Sequence, residues 1–153
     1  MRLTRYTDYA LRVLIYLGTK DGELSTIQEI ADRYGISKNH LMKVVHDLQL
    51  KGYVETLRGK NGGLRLRRTP AEINIGAVVR DTEPDTALAE CFSAENGCVI
   101  TPSCELKHVL FKALQAFFAV LDSCTLADLL QGREPELRRL LTLGRVPVSV
   151  VAG

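Results

Sequence analysis

The feature that most constrains this chain is an ordered run from Ser25 to Arg68: helix, sharp turn, helix, then a short basic hairpin. Ser25, with Gln28 three residues on, has the form of a capping box and predicts a helix reaching to about Tyr34. Gly35 breaks that helix and Ser37 caps the next. There Leu41, Val44, Val45 and Leu48 share one face, and Gly52 stops the helix. Two helices joined by a glycine-containing turn of about three residues are the helix-turn-helix arrangement. Two strand-like runs follow, at 53–57 and 64–68, flanking the hexapeptide Arg-Gly-Lys-Asn-Gly-Gly at 58–63. In the second run Leu64 and Leu66 face inward while Arg65 and Arg67 face out. Upstream, Tyr6, Ala10, Val13, Leu14 and Leu17 lie on one face of a first helix that Gly18 ends. The expected fold is therefore mainly α with a small β wing: a winged helix-turn-helix over residues 1–70.

Charge supports a polyanion as the partner of this half. Residues 1–70 hold 13 Lys and Arg against 7 Asp and Glu, whereas residues 71–153 hold 7 against 11. With its apolar stripe buried, the third helix presents Asn39, Lys43 and His46, with Lys38, His40 and Met42 toward the edges. Asparagine can pair bidentately with adenine, and lysine can donate to guanine or to phosphate. Arg58, Lys60 and Asn61 in the hairpin loop suit a minor groove or the DNA backbone, since the neighbouring glycines let main chain approach closely. The expected DNA contacts are Lys38, Asn39, His40, Lys43, His46, Arg58, Lys60 and Asn61, and the expected partner is double-stranded operator DNA. One winged helix covers too little DNA to be selective in a genome, so a homodimer on two half-sites is expected.

The second half supplies the means. A connecting helix is expected at 73–83, within a 71–90 linker. All four cysteines lie beyond it, at Cys91, Cys98, Cys104 and Cys124. The stretch 91–104 contains the turn signal Asn96-Gly97 and reads as a loop. Thr101, with Pro102 after it, predicts the N-cap of a long helix. That helix carries Leu106, Val109, Leu110, Ala113, Leu114, Phe117, Val120 and Leu121 as a broad apolar stripe, flanked by Phe111 and Phe118, and is the natural dimerisation element. It begins a 104–143 segment completed by short helices at 126–130 and 135–141. The tail 144–153 carries no helical period and is expected to be flexible. No apolar run approaches the roughly 18 residues needed to span a bilayer, and the first residues do not form a signal-peptide core, so the expectation is a cytoplasmic protein with no membrane partner. His40, His46 and His108 are scattered, and no nucleophile triad, phosphate loop or His-Glu metal spacing occurs, which argues against an enzyme.

Cys91, Cys98 and Cys104 are separated by six and five residues, wider than the Cys-x-x-Cys pairs of structural zinc sites. Three thiolates on a loop suit the soft, spaced irons of an iron–sulfur cluster. Cys104 falls in the first turn of the long helix, where free N–H groups and the dipole favour negative charge. Spectator thiols, or a redox switch closing a disulfide within the loop, are the alternatives.

Four segments carry a resemblance: Met-Arg-Leu-Thr-Arg-Tyr-Thr-Asp-Tyr-Ala-Leu-Arg at 1–12, Ser-Lys-Asn-His-Leu-Met-Lys at 37–43, the hexapeptide at 58–63 and Cys-Val-Ile-Thr-Pro-Ser-Cys at 98–104. Leu-Ala-Asp-Leu at 126–129 adds to them. Over about residues 1–142 the chain resembles the iron–sulfur transcription regulators that include IscR and RirA, and among them the nitric-oxide-sensing repressors. The resemblance implies a homodimeric repressor whose operator affinity is controlled by a cluster, [4Fe-4S] with [2Fe-2S] as the alternative. Nitric oxide is the implied signal. It implies Cys91, Cys98 and Cys104 as ligands, with Asp8 of the second subunit as the fourth. IscR-like proteins place a histidine three residues after the last loop cysteine, where this chain has Lys107, with His108 one further on. RirA-like regulators share Ala-Glu-Cys-Phe at 89–92 and Ala-Phe-Phe-Ala-Val at 116–120, so a response to iron or cluster status is the runner-up, and a cluster-free thiol regulator the third reading.

Overall fold

The computed structural model of the chain describes residues 1–143. The tail 144–153, expected to be flexible, lies outside the described residues. Seven α-helices and one hairpin follow in the order α1 (Arg5–Gly18), α2 (Ile27–Tyr34), α3 (Lys38–Leu50), β1 (Val54–Leu57), β2 (Gly63–Leu66), α4 (Ile75–Thr82), α5 (Glu105–Asp122), α6 (Leu126–Leu130) and α7 (Glu134–Leu143). This is the mainly helical architecture with a small β wing that the sequence implies.

The core gathers where the predicted stripes meet. Ala10, Val13, Leu14 and Leu17 of α1 pack with Ile30 and Ala31 of α2 and with Leu41, Val44, Val45 and Leu48 of α3, all buried. Fully burying an aliphatic side chain of this kind stabilises the fold by roughly 1.5–3 kcal/mol. Val54 and Leu64 close the core from the wing, and Ile73, Ile75 and Val78 from around α4. Leu126 and Leu130 of α6 are also buried there, so a helix from the far end of the sequence completes the N-terminal core.

Local chemistry sets the boundaries. The residue capping α2 is Thr26, whose hydroxyl accepts from the Glu29 N–H at 3.1 Å, and not Ser25. Ser25 is unavailable because its backbone is extended: its N–H donates to Leu64 O at 2.9 Å and its C=O accepts from Leu64 N–H at 2.8 Å. This isolated bridge adds a third short rung to the wing, which the capping-box signal concealed. Gly35 closes α2 in the left-handed conformation, with φ 63°. The hairpin is antiparallel, with Val54 opposite Leu66 and Leu57 opposite Gly63. β1 starts one residue later than expected because the Tyr53 N–H donates to Leu48 O, finishing α3. β2 covers Gly63–Leu66 and not 64–68, so Arg67 and Arg68 lie past its end, although Arg67 N–H still donates to Tyr53 O.

The connecting helix is shorter than the expected 73–83. Asn74 caps it, accepting from Ala77 N–H at 3.0 Å, while Ile73 O is taken by Leu126 N–H at 2.8 Å. The long helix also starts later. Thr101–Ser103 form a separate 3-10 turn, and the chain extends at Cys104, which becomes the N-cap residue of α5 in place of Thr101.

The expected apolar stripe of α5 divides into two. Leu110, Leu114, Phe117 and Leu121 are half-buried, and the helix packs on α4. Leu106, Val109, Phe111 and Val120 stay 63%, 60%, 49% and 69% exposed. Among the described residues no helix is long and apolar enough to cross a membrane.

Candidate functional site

The candidate nucleic-acid face is built on α3 and the wing. Ser37 caps α3, and burial of Leu41, Val44, Val45 and Leu48 leaves Lys38, Asn39, Lys43 and His46 exposed on the opposite side, as the helical period requires. His40 is half-buried: its ring meets the edge of Tyr9 on α1 with centroids 5.0 Å apart. Thr56 Oγ1 donates to Gln49 Oε1 at 3.2 Å, tying the first wing strand to the end of α3. Arg58, Lys60 and Asn61 are exposed at the wing tip. Gly62 shapes that tip, since a Cβ there would stand 2.2 Å from Leu57 O. The cations divide in a telling way. Lys51 is paired with Asp47 and Arg65 with Glu55, whereas Lys38, Lys43, Arg58 and Lys60 make no ion pair among the described residues. A cation without an internal partner keeps its charge for phosphate.

The cysteine loop leaves α4 at Glu83 and enters α5 at Cys104. Cys91 sits in a 3-10 turn (Glu90–Phe92), Cys98 is exposed in the following turn, and both Cys91 and Cys104 are half-buried. Side chains brace the turn: Glu90 Oε1 accepts from Gly97 N–H at 2.8 Å, Asn96 Oδ1 from Cys98 N–H at 3.1 Å, and Asn96 Nδ2 donates to Thr101 Oγ1 at 2.9 Å. All four cysteines are free thiols. Cys124 is set apart from the other three, half-buried against the core, with its carbonyl accepting from Ile75 N–H at 2.9 Å.

Whether this loop suits an iron–sulfur group turns on donors and on charge. Three thiols are the right donor type for iron. The N-terminus of α5 also has no side-chain cap, whereas α1, α2, α3, α4 and α6 are capped by Thr4, Thr26, Ser37, Asn74 and Thr125. Its first-turn N–H groups are thus open to an anionic group held at Cys104. The residues fit such a group in chemistry. They are not gathered in advance: among the described residues no three His, Cys, Asp or Glu side chains converge as a ready-made metal site.

Asp8, the remaining expected ligand, lies in the first turn of α1 and is paired within its own chain. Arg12 Nε donates to Asp8 Oδ1 at 3.1 Å and Arg12 Nη2 lies 2.9 Å from Oδ2. The Arg12 guanidinium lies 5.9 Å from the Tyr9 ring and 5.8 Å from that of Tyr34. Tyr34 in turn donates to Arg12 O at 3.0 Å, and burial pushes its hydroxyl up to about 12. Asp8, Tyr9, Arg12 and His40 therefore form one continuous set of contacts between the start of α1 and α3. Among these four, the sequence points to Asp8, through the resemblance, and to His40, but not to Tyr9 or Arg12, whose spacing from Asp8 carries no metal signal.

Comparison with known proteins agrees with this geometry. Residues 3–132 match the Rrf2 family, described as iron-dependent transcriptional regulators. The chain is 56% identical over 144 residues to the HTH-type transcriptional regulator NsrR of Bacillus licheniformis, covering 93% of this chain and 100% of that one. It is 57% identical over 142 residues to the NsrR of Bacillus subtilis, covering 92% and 97%. Among solved structures it resembles IscR of T. potens, with a TM-score of 0.68, 28% identity and coverage of 89% and 90%. It also resembles CymR, the global cysteine regulator of B. subtilis, with a TM-score of 0.69, 25% identity and coverage of 84% and 95%. With a helix-turn-helix and wing in place, and relatives of this similarity along nearly its whole length, the chain belongs to the Rrf2 family of iron-dependent transcriptional regulators.

Proposed function

We propose that the protein is a cytoplasmic homodimeric repressor that holds an iron–sulfur cluster, [4Fe-4S] in type, and releases its operator when nitric oxide reaches that cluster. The observation that carries the proposal is a cysteine loop rooted in the same packing that holds α1, and hence α3. α4 packs against both α1 and α5, and the loop runs between α4 and α5. Any change that reorganises the loop is therefore felt at the helices that face DNA.

Lys38, Asn39, Lys43 and His46 on α3 and Arg58, Lys60 and Asn61 on the wing bind DNA, the unpaired cations anchoring phosphates. His40 contributes mainly by holding α3 against Tyr9. Cys91, Cys98 and Cys104 hold the cluster, and Asp8 of the second copy completes it. When bound, the cluster supplies a centre that reacts with nitric oxide. Ligation of the second copy's cluster would draw on the same Asp8 carboxylate that Arg12 holds, so occupancy at one subunit's loop bears on how the other subunit's α1 is held. The exposed flank of α5 at Leu106, Val109 and Val120 is the dimer contact, because these three apolar side chains share one side of the helix and contiguous solvated apolar surface marks an association site.

The deciding experiment is operator binding under anaerobic conditions by iron-loaded protein, loaded protein treated with nitric oxide, and metal-free protein. Tight binding by the first alone supports the proposal; equal affinity of all three ends it. Because the family is described as iron-dependent, a response to iron status is the second reading. It predicts loss of binding on iron limitation and no loss on addition of nitric oxide.

A further inference from the structure

The carboxylate of Glu83 sits on the N-terminus of α1. Its Oε2 accepts three hydrogen bonds, from Thr4 N–H at 3.1 Å, Thr4 Oγ1 at 3.1 Å and Thr7 Oγ1 at 2.6 Å. Thr4 is the N-cap residue of α1, its own hydroxyl accepting from Thr7 N–H at 3.2 Å, and Thr7 is fully buried. One carboxylate oxygen thus meets an amide and two hydroxyls at the positive end of a helix, where charge-assisted bonds are strongest. Glu83 comes from the other side of the sequence. It is the C-cap residue of α4, its N–H donating to Val79 O at 2.8 Å, and Pro84 then turns the chain into the cysteine loop.

The point where the loop departs and the start of α1 are therefore one junction. Asp8 is attached to it directly, since its N–H donates to Thr4 O at 3.0 Å. One residue on from Asp8 and round to another side of α1, Tyr9 meets the His40 ring and carries the contact to α3. We propose that Glu83 is the positioning residue that couples the root of the cysteine loop to α1, and through α1 to the DNA-facing helix of the same chain. The inference rests on the cluster-sensing reading above and deepens it. Asp8 links α1 to the second copy's loop, while Glu83 links it to its own, so the position of α1 is set from both sides. Nothing in this role requires Glu83 to touch iron or DNA.

The test compares Glu83→Ala, Glu83→Gln and Thr7→Val with the unaltered protein by two readouts. In metal-free protein, amide hydrogen exchange at Thr4, Thr7 and Asp8 reports the junction itself. Glu83→Ala should raise it about tenfold, with the α3 amides keeping their protection. The second readout is the ratio of operator affinities of iron-loaded and metal-free protein. Glu83→Ala should cut that ratio about tenfold while the loaded protein keeps its iron and sulfide content and its absorption spectrum. Glu83→Gln keeps an oxygen acceptor without the charge and should restore part of both effects. Thr7→Val should reproduce part of both losses. Should Glu83→Ala fail to fold, the Gln and Val variants carry the comparison. A lowered melting temperature with an unchanged affinity ratio would make Glu83 a structural cap and overturn the coupling, as would unchanged exchange. If the unaltered protein shows no difference between its loaded and metal-free forms, the sensing reading has failed and takes the coupling with it, a result told apart because it involves no variant.

Discussion

The two halves of the chain differ in how far each completes itself. In the first, α1, α2 and α3 are all capped by their own side chains and share a core whose members are close to fully buried. In the second, α5 runs from Glu105 to Asp122 with no buried residue and no side-chain cap. With Leu126 and Leu130 of α6 closing it, the core of the first is finished within a single chain. The second leaves hydrogen-bond donors and apolar area unmatched, at the places where the proposed dimer and the proposed cluster would supply the missing contacts.

The largest expected effect tests that contrast directly. Leu41→Ala removes a fully buried side chain from the first half and should cost about 3 kcal/mol in urea unfolding of dilute, metal-free protein. Leu106→Ala on α5 should stay within about 0.5 kcal/mol in the same experiment, yet shift the monomer–dimer balance in sedimentation toward monomer. Equal unfolding costs would mean that α5 is covered within its own chain, and the contrast would collapse.

The same difference explains what could be read from the sequence. Helical periods, Gly35 and Ser37 are local signals, so α1, α2, α3 and the wing could be placed from residues alone. Ser25 was misread because its role depends on Leu64, almost forty positions away, which draws it into a bridge and passes the cap to Thr26. Leu126 and Leu130 look like an ordinary amphipathic turn; only tertiary packing shows that they finish the N-terminal core. Thr101-Pro102 has every mark of a helix start, but the 3-10 turn hands that place to Cys104. At the candidate site, cysteine spacing indicated soft-metal chemistry, whereas Glu83, Tyr9 and Arg12 gain meaning only from partners that sequence does not bring near.

A second substitution probes how the incomplete half is fastened. Arg80 clasps Asp122 with contacts of 2.5 and 2.8 Å and lies 4.2 Å from the Phe118 ring, while Asn74 Nδ2 donates to Asp122 O at 2.7 Å. Gly76 makes room for this clasp, since a Cβ there would stand 1.9 Å from Asp122 Oδ1 and 3.0 Å from its backbone N. Gly76→Ala should therefore destabilise the chain by about 1–3 kcal/mol through overpacking. In an Asp122→Ala background the penalty should shrink, because the nearest obstacle has gone. An identical penalty in both backgrounds would move the cause away from the clasp.

On the N-terminal half, Arg58→Ala should leave stability unchanged within about 0.5 kcal/mol, since the side chain is exposed at the wing tip. Its effect belongs to DNA: the slope of log K against log salt should fall by about one unit. An unchanged slope with unchanged affinity would place the wing tip outside the interface.

The smallest effect concerns a polar cluster at the turn between α1 and α2. Glu29 Oε1 accepts from the Tyr16 hydroxyl and, at 2.8 Å, from Lys20 Nζ. Burial alone would raise the Glu29 carboxyl, but bonds from Lys20 and Tyr16 outweigh it and hold the group below its usual value. A lowered folded value means that the stabilisation is complete above the unfolded value of about 4.3 and is lost as pH falls through the folded one. The hydrogen bond to Glu29 raises Lys20, so its share is present below the usual lysine value and lost as pH climbs through the raised one. Glu29→Gln should thus cost under about 1 kcal/mol near neutral pH and flatten the acid limb of the stability profile. An acid limb as steep as before would assign acid sensitivity to other carboxylates of this half. Foremost is Asp47, which burial would raise but which bonds from Lys51 and Tyr6 hold low. The α1–α2 turn would then rest on its apolar contacts alone.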